Sequence, residues 1–145
     1  MSHLVVDTSV AAKWFLDEPH CEDAVRLLES DLDLHAPAFL DVELDHILSK
    51  WVRRGEMEAD EARSIHAAFE DFPLVRHETA LLQDTAFELA LAHGRGVYDC
   101  LFVALAALLD TRVVTADRRL VEGFRGTRLE HRLLWIGDAA PSLPA

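Results

Sequence analysis

Leu4-Val5-Val6-Asp7-Thr8-Ser9-Val10 stands at the start of the chain and decides its reading. Leu4 to Val6 is an apolar run with no polar alternation, the pattern of a parallel strand buried on both faces. Asp7 ends the run, and Thr8 or Ser9 can cap a helix over roughly Val10 to Leu16 before Glu18-Pro19 stops it. A buried strand that passes through an acidic turn into a helix is the opening of an α/β unit.

The alternation of strand and helix continues along the chain. His20 to Ser30 is predicted helical, with Ala24, Leu27 and Leu28 on one face, and Leu34-His35-Ala36 is a weak strand. Pro37 suits the first turn of a long helix that reaches about Arg54, where Gly55 can end it. Ala59 to Phe72 reads as a helix closed by Pro73, and Leu74-Val75-Arg76 as a short strand. Thr79 is placed to cap a helix that runs to His93, with Gly94 as its stop. Tyr98 to Leu109 is apolar nearly all round, which marks a central, buried helix. Arg112 to Thr115 is a strand, Arg118 to Phe124 a short helix, and Leu133 to Ile136 a last strand with charged neighbours. The expectation is one α/β domain over residues 1–139, a mainly parallel sheet of four to five strands flanked by helices, with a loose tail over residues 140–145.

The bulk composition narrows the function classes. A chain of 145 residues with half of them apolar is long enough for one core and too hydrophobic for disorder. Its longest charge-free run, Cys100 to Leu109, is too short to span a membrane. No leader pattern precedes the first strand, and Cys21 and Cys100 form no CxxC pair. These features point to a reduced, cytoplasmic setting with no membrane partner. The net charge is −12, from 14 basic and 26 acidic side chains. Such a surface disfavours non-specific nucleic-acid binding. It suits a basic protein partner, or a nucleic acid gripped only at a local basic patch.

Four acids occupy places where a fold has little use for negative charge. Asp7 follows the first strand, Asp117 follows the strand Arg112 to Thr115, and Asp99 opens the buried helix. In a parallel α/β sheet, functional groups gather beyond the carboxyl ends of the strands. Each of these three acids can equally be a helix cap. On the long helix, the apolar stripe is Leu40, Leu44, Ile47, Leu48 and Trp51. Glu43 borders it beside Ile47 and Asp41 borders it beside Leu48, so helical geometry makes both half-buried and does not choose between them. Carboxylates brought together would repel one another unless they held a hard cation, which makes metal-assisted hydrolysis the leading chemistry. Thr8, Ser9 and Thr115 can orient such carboxylates or serve as plain turn residues.

Four segments carry a resemblance to a known family. Leu4 to Val10 with Ala11-Ala12-Lys13-Trp14-Phe15-Leu16 resembles the opening of PIN-domain ribonucleases, and most closely the VapC toxins of toxin–antitoxin pairs. Pro37 to Glu43, Tyr98 to Ala106 and Val114 to Leu120 resemble the later acidic segments of that family, in the same order. The resemblance implies a PIN-like fold and selects Glu43 over Asp41. It implies that Asp7, Glu43, Asp99 and Asp117 hold one or two Mg²⁺ or Mn²⁺ ions and cut RNA to leave a 3′-hydroxyl and a 5′-phosphate. It further implies a VapB-type antitoxin, an RNA substrate such as tRNA or rRNA, and a homodimer. His46 stands where the family often has Asn, which bears on the fine structure of the site. The resemblance also admits a catalytically weak PIN fold that acts as a binding partner in a repressor complex. A phosphatase of the haloacid dehalogenase type is disfavoured, because Ser9 stands where that class needs a second Asp.

The remaining groups with chemical potential read as structural. No histidine pair has metal-ligand spacing, so His66, His77, His93 and His131 are expected at the surface or at caps, and His20 is too isolated for a zinc site. Lys13, Arg95, Arg118 and Arg119 lie near the predicted sheet edge and are candidates for phosphate contact.

Overall fold

The computed structural model describes residues 3–139, so the tail expected over residues 140–145 lies outside the described residues. Five strands, β1 (His3–Val6), β2 (Asp33–Pro37), β3 (Val75–His77), β4 (Val113–Thr115) and β5 (Leu133–Trp135), form one sheet. Every pairing is parallel and the order is β3-β2-β1-β4-β5. The chain builds outward from β1 on one side, then returns to add β4 and β5 on the other. The order therefore reverses between β1 and β4, where the crossovers leave a crevice beyond the strand ends.

The helices are α1 (Thr8–Ala11), α2 (Cys21–Leu28), α3 (Phe39–Arg53), α4 (Ala59–Phe69), α5 (Gln83–His93), α6 (Val97–Leu108) and α7 (Arg118–Gly123). Seven consecutive residues of α6, Cys100 to Ala106, are buried, and the helix packs on β1, β2 and β4. A helix enclosed on all sides needs no polar face, which explains the run that marked it in the sequence. The α3 stripe Leu40, Leu44 and Leu48 is buried as expected. No single helix among the described residues is long and apolar enough to cross a membrane.

Local chemistry moved several boundaries. Pro37 ends β2 rather than starting α3, with the ladder carried on by the Ala38 N–H to the His77 carbonyl at 2.7 Å. Proline is tolerated at such a strand end because no ladder hydrogen bond is asked of its nitrogen. Thr79 does not cap the following helix; its Oγ1 accepts the Phe39 N–H at 3.1 Å and so satisfies an open donor at the start of α3. The first helix winds into a tight 3₁₀ turn over Ala12–Trp14, and Trp14 Nε1 donates to the Ala24 carbonyl at 2.8 Å. His77 is not a plain surface residue. Its Nε2 lies 2.9 Å from His35 Nδ1, and His35 Nε2 lies 2.9 Å from His3 Nδ1, so three imidazoles run across β1, β2 and β3.

The packing of α6 makes one side chain a direct test of the core. Phe102, in the middle of that helix, is 1 % exposed. Phe102→Ala is expected to lower folding stability by about 3–5 kcal/mol through the cavity it leaves. Urea unfolding followed by circular dichroism measures it, and a loss under about 1 kcal/mol would contradict this core.

Candidate active site

The reversal point of the sheet collects all four candidate acids. Asp7 follows β1, and its N–H donates to the Val114 carbonyl of β4 at 3.0 Å, so backbone pairing places it at the switch point. Its carboxylate is not a helix cap. Instead Oδ2 accepts from Ser9 Oγ at 2.6 Å and from Thr115 Oγ1 at 2.8 Å. Ser9 Oγ in turn accepts the Ala116 N–H, and Thr115 Oγ1 accepts the Asp117 N–H, each at 3.0 Å. The turns after β1 and β4 are thus one hydrogen-bonded unit around a buried carboxylate.

The other acids approach from three helices. Glu43 reaches in from α3, where Thr8 Oγ1 donates to its Oε1 at 2.7 Å. Asp99 sits in the first turn of α6 without capping it. Asp117 does behave as a cap: its Oδ1 accepts the Arg119 N–H at 2.9 Å, the structural role that the sequence also allowed. Asp41 points elsewhere. Arg76 Nε donates to its two carboxylate oxygens at 2.8 and 3.1 Å, while Arg76 Nη2 donates to the Phe69 carbonyl at 2.7 Å. The arginine ties β3 to α3 and α4, so tertiary structure separates the two acids that helical geometry left equivalent.

Electrostatics shows how closely the group is coupled. Burial raises the Asp7 pKa, the Ser9 and Thr115 hydrogen bonds lower it, and the Asp99 charge raises it again. Burial also raises Asp99, helped by Asp117 and opposed by Arg95 and Arg119. Glu43 is pushed up to about 7, chiefly by burial, with Asp7 and Asp99 adding to the shift. Arginines moderate Asp99, but among the described residues no cation offsets Asp7 or Glu43. Uncompensated, half-buried carboxylates with hard oxygen donors suit a divalent cation. The residues therefore fit a metal in kind. Among the described residues, however, no three His, Cys, Asp or Glu side chains already converge as a finished cage.

Asp99 and Asp117 open onto a cavity of about 590 Å³ that Arg95, Arg119, Glu122 and Gly123 also line. Glu122 is a fifth acid that the sequence reading missed, since a charge on a short surface helix carries no distinguishing pattern. His46 lies exposed on α3. Lys13 pairs with Glu18 at 3.6 Å, and Arg118 stacks over the Trp135 ring at 4.0 Å. Of the four basic candidates, Arg95 and Arg119 line this cavity.

The Glu43 shift has a consequence for metal-free protein. Its ordinary value is 4.5, so from there to about 7 the folded chain holds a proton that the unfolded chain has released. Stability from this group is full below the lower value and is lost as pH rises through the upper one. In chelator, Glu43→Gln is expected to melt higher than the parent at about pH 8, with a flatter fall from about pH 5. Parallel melting curves against pH for the two proteins would contradict the burial of this carboxyl.

Comparison with known proteins agrees with this architecture. The family model described as PIN domain matches residues 4–123. Ribonuclease VapC3 of Pyrobaculum aerophilum is 37% identical over 123 residues, covering 83% of this chain and 94% of that protein. Among solved structures, the sarcin–ricin-loop-cleaving toxin VapC20 of Mycobacterium tuberculosis superposes with a TM-score of 0.65 at 19% identity, over 89% of this chain and 98% of that one. VapBC2 of Rickettsia felis, solved on a fragment of promoter DNA, superposes with a TM-score of 0.63 at 14% identity, over 92% and 98%. The fold and the match along most of its length agree: the chain belongs to the PIN-domain family, alongside the VapC ribonucleases.

Proposed function

We propose that this chain is a divalent-metal-dependent endoribonuclease of toxin type, restrained by a VapB-type antitoxin and acting as a homodimer in the cytoplasm. The observation that carries the reading is buried Asp7 and half-buried Glu43, with no offsetting cation among the described residues, beside Asp99 and Asp117 on an open cavity. Asp7, Glu43, Asp99 and Asp117 would hold Mg²⁺ or Mn²⁺ through carboxylate oxygens. When bound, the ion supplies Lewis-acid activation of the phosphate and of an attacking water.

The chain's own residues do the positioning. Ser9 and Thr115 fix Asp7, Thr8 fixes Glu43, and the Arg119 N–H fixes Asp117. Locked acids cost less reorganisation when charge develops on a phosphate. Cys100 is not a competing nucleophile, since burial pushes its thiol up to about 11.

The names of the relatives support the RNA substrate, and the DNA-bound VapBC2 assembly supports a partner protein. That assembly also favours a second reading, in which a weak nuclease serves mainly as the toxin half of a repressor. Exposed Leu81, Phe87, Leu91 and Tyr98 on and around α5 support the homodimer as apolar groups that a second copy could cover.

Cleavage of tRNA or rRNA by antitoxin-free protein is expected to vanish in EDTA and return with Mg²⁺ or Mn²⁺. Asp7→Asn, Glu43→Gln and Asp99→Asn should each abolish it, while Asp41→Asn keeps it. Thr115→Val, which removes a hydroxyl from Asp7, should lower the rate by about 10–100-fold. Full activity in EDTA would overturn the metal reading. An inert wild type that still binds its antitoxin would favour the repressor reading.

The dimer has its own test. Light scattering at micromolar concentration is expected to give twice the chain mass of 16.3 kDa, and Phe87→Glu the single mass. An active wild-type monomer would refute the dimer.

A further inference from the structure

A chain of net charge −12 that handles RNA needs a local cation to hold the backbone beside its acids. The basic groups near the sheet edge differ in how they are engaged. Lys13 pairs with Glu18, Arg118 lies on Trp135, and the 90 % exposed Arg119 side chain stands 3.7 Å from Asp117. Arg95 is held differently. It projects from the Gly94-Arg95-Gly96 connection between α5 and α6 and crosses to α7, where Nη2 donates to the carbonyl of Arg119 in the first turn at 3.2 Å. Among the described residues no carboxylate comes within ion-pairing distance of it, and its buried Nε has no hydrogen-bond partner.

The place it occupies exists because residue 123 has no side chain. A Cβ on Gly123 would stand 2.7 Å from Arg95 Cζ and Nε and 2.9 Å from Nη1. The backbone gives no other reason for glycine, since Gly123 closes α7 outside the left-handed region that Gly55, Gly94 and Gly126 occupy. Glycine in a helix is unfavourable relative to alanine. What the missing side chain provides is a flat seat for a guanidinium on the wall of the cavity lined by Asp99 and Asp117.

The geometry points to Arg95, seated on Gly123, as the residue that grips an RNA phosphate next to the bond being cut. This inference rests on the ribonuclease reading above. A planar guanidinium matches phosphate with a fork of donors, and a seated side chain loses little freedom when the strand arrives. The alternative role, a counter-charge for the acids, is weakened by the lack of any ion pair at Arg95. Arg95 does lower the Asp99 pKa from a distance, so the test must separate binding from chemistry.

Binding is measured by fluorescence anisotropy of a labelled single-stranded RNA, in an Asp7→Asn background that prevents turnover. Arg95→Ala is expected to weaken binding about tenfold, the loss of one charge-assisted contact. The slope of log affinity against log salt should fall by about 0.7, as for one phosphate contact on a single strand. Gly123→Ala keeps the charge but displaces it, and should weaken binding in the same direction while its melting temperature equals or exceeds that of the parent. In the active background, Arg95→Ala should raise KM and leave kcat near wild type. Unchanged RNA affinity in Arg95→Ala, or a fall in kcat with affinity intact, would overturn the assignment. Full affinity in Gly123→Ala would overturn the role of the seat. A wild type that neither binds nor cuts RNA with any divalent ion would overturn the ribonuclease reading, and this inference with it.

Discussion

One buried carboxylate organises this protein. Asp7 lies where the strand order reverses, and two hydroxyls from two different turns hold one of its oxygens. Those hydroxyls also accept backbone N–H groups of the turn after β4. The same few atoms therefore close the sheet edge and fix the acid. Burial penalises the charge, and the hydroxyls offset part of that penalty. The fold tolerates a frustrated group at its most ordered point, which is typical of a site where function outranks stability.

The rest of the cluster divides around Asp99. On the inner side are Asp7 and Glu43, both raised by burial, with Thr8 and Ser9 as their supports. On the outer side are Asp117 and Glu122, in an open cavity with Arg95 and Arg119. Asp99 feels both sides: it raises Asp7 and Glu43, and is itself shifted by Asp117 and the two arginines. An inner shelf of acids thus meets an outer wall of mixed charge at Asp99.

Much of the architecture was legible in the sequence because its causes are local. The unbroken apolar runs at Leu4 to Val6 and Val113-Val114 specify parallel strands buried on both sides. The all-round apolar face of α6 specifies a central helix, and Gly94, at φ +63, closes α5 as a left-handed stop. Errors fell where a residue's role is set by a distant strand. Pro37 and Thr79 looked like helix-start residues for the helices that follow them, but Pro37 ends β2 and Thr79 serves the start of α3. His77 looked like a surface group until the sheet set it beside His35.

The positions of Asp7, Asp99 and Asp117 followed from the chain alone, because each stands immediately beside an element that its neighbours define. Helical geometry did not separate Asp41 from Glu43, which only the family resemblance chose between. Both flank one helical stripe, and only the packing of β3 brings Arg76 to Asp41 while α1 brings Thr8 to Glu43. Asp7 as a hydroxyl-held acid rather than a cap, and the seating of Arg95 on Gly123, depend likewise on segments far apart in sequence. Periodicity and turn chemistry act over a few residues, so they determined the series of elements and which acids follow strands. Contacts across the sheet edge act over the whole chain, so which groups face one another was decided by the folded structure.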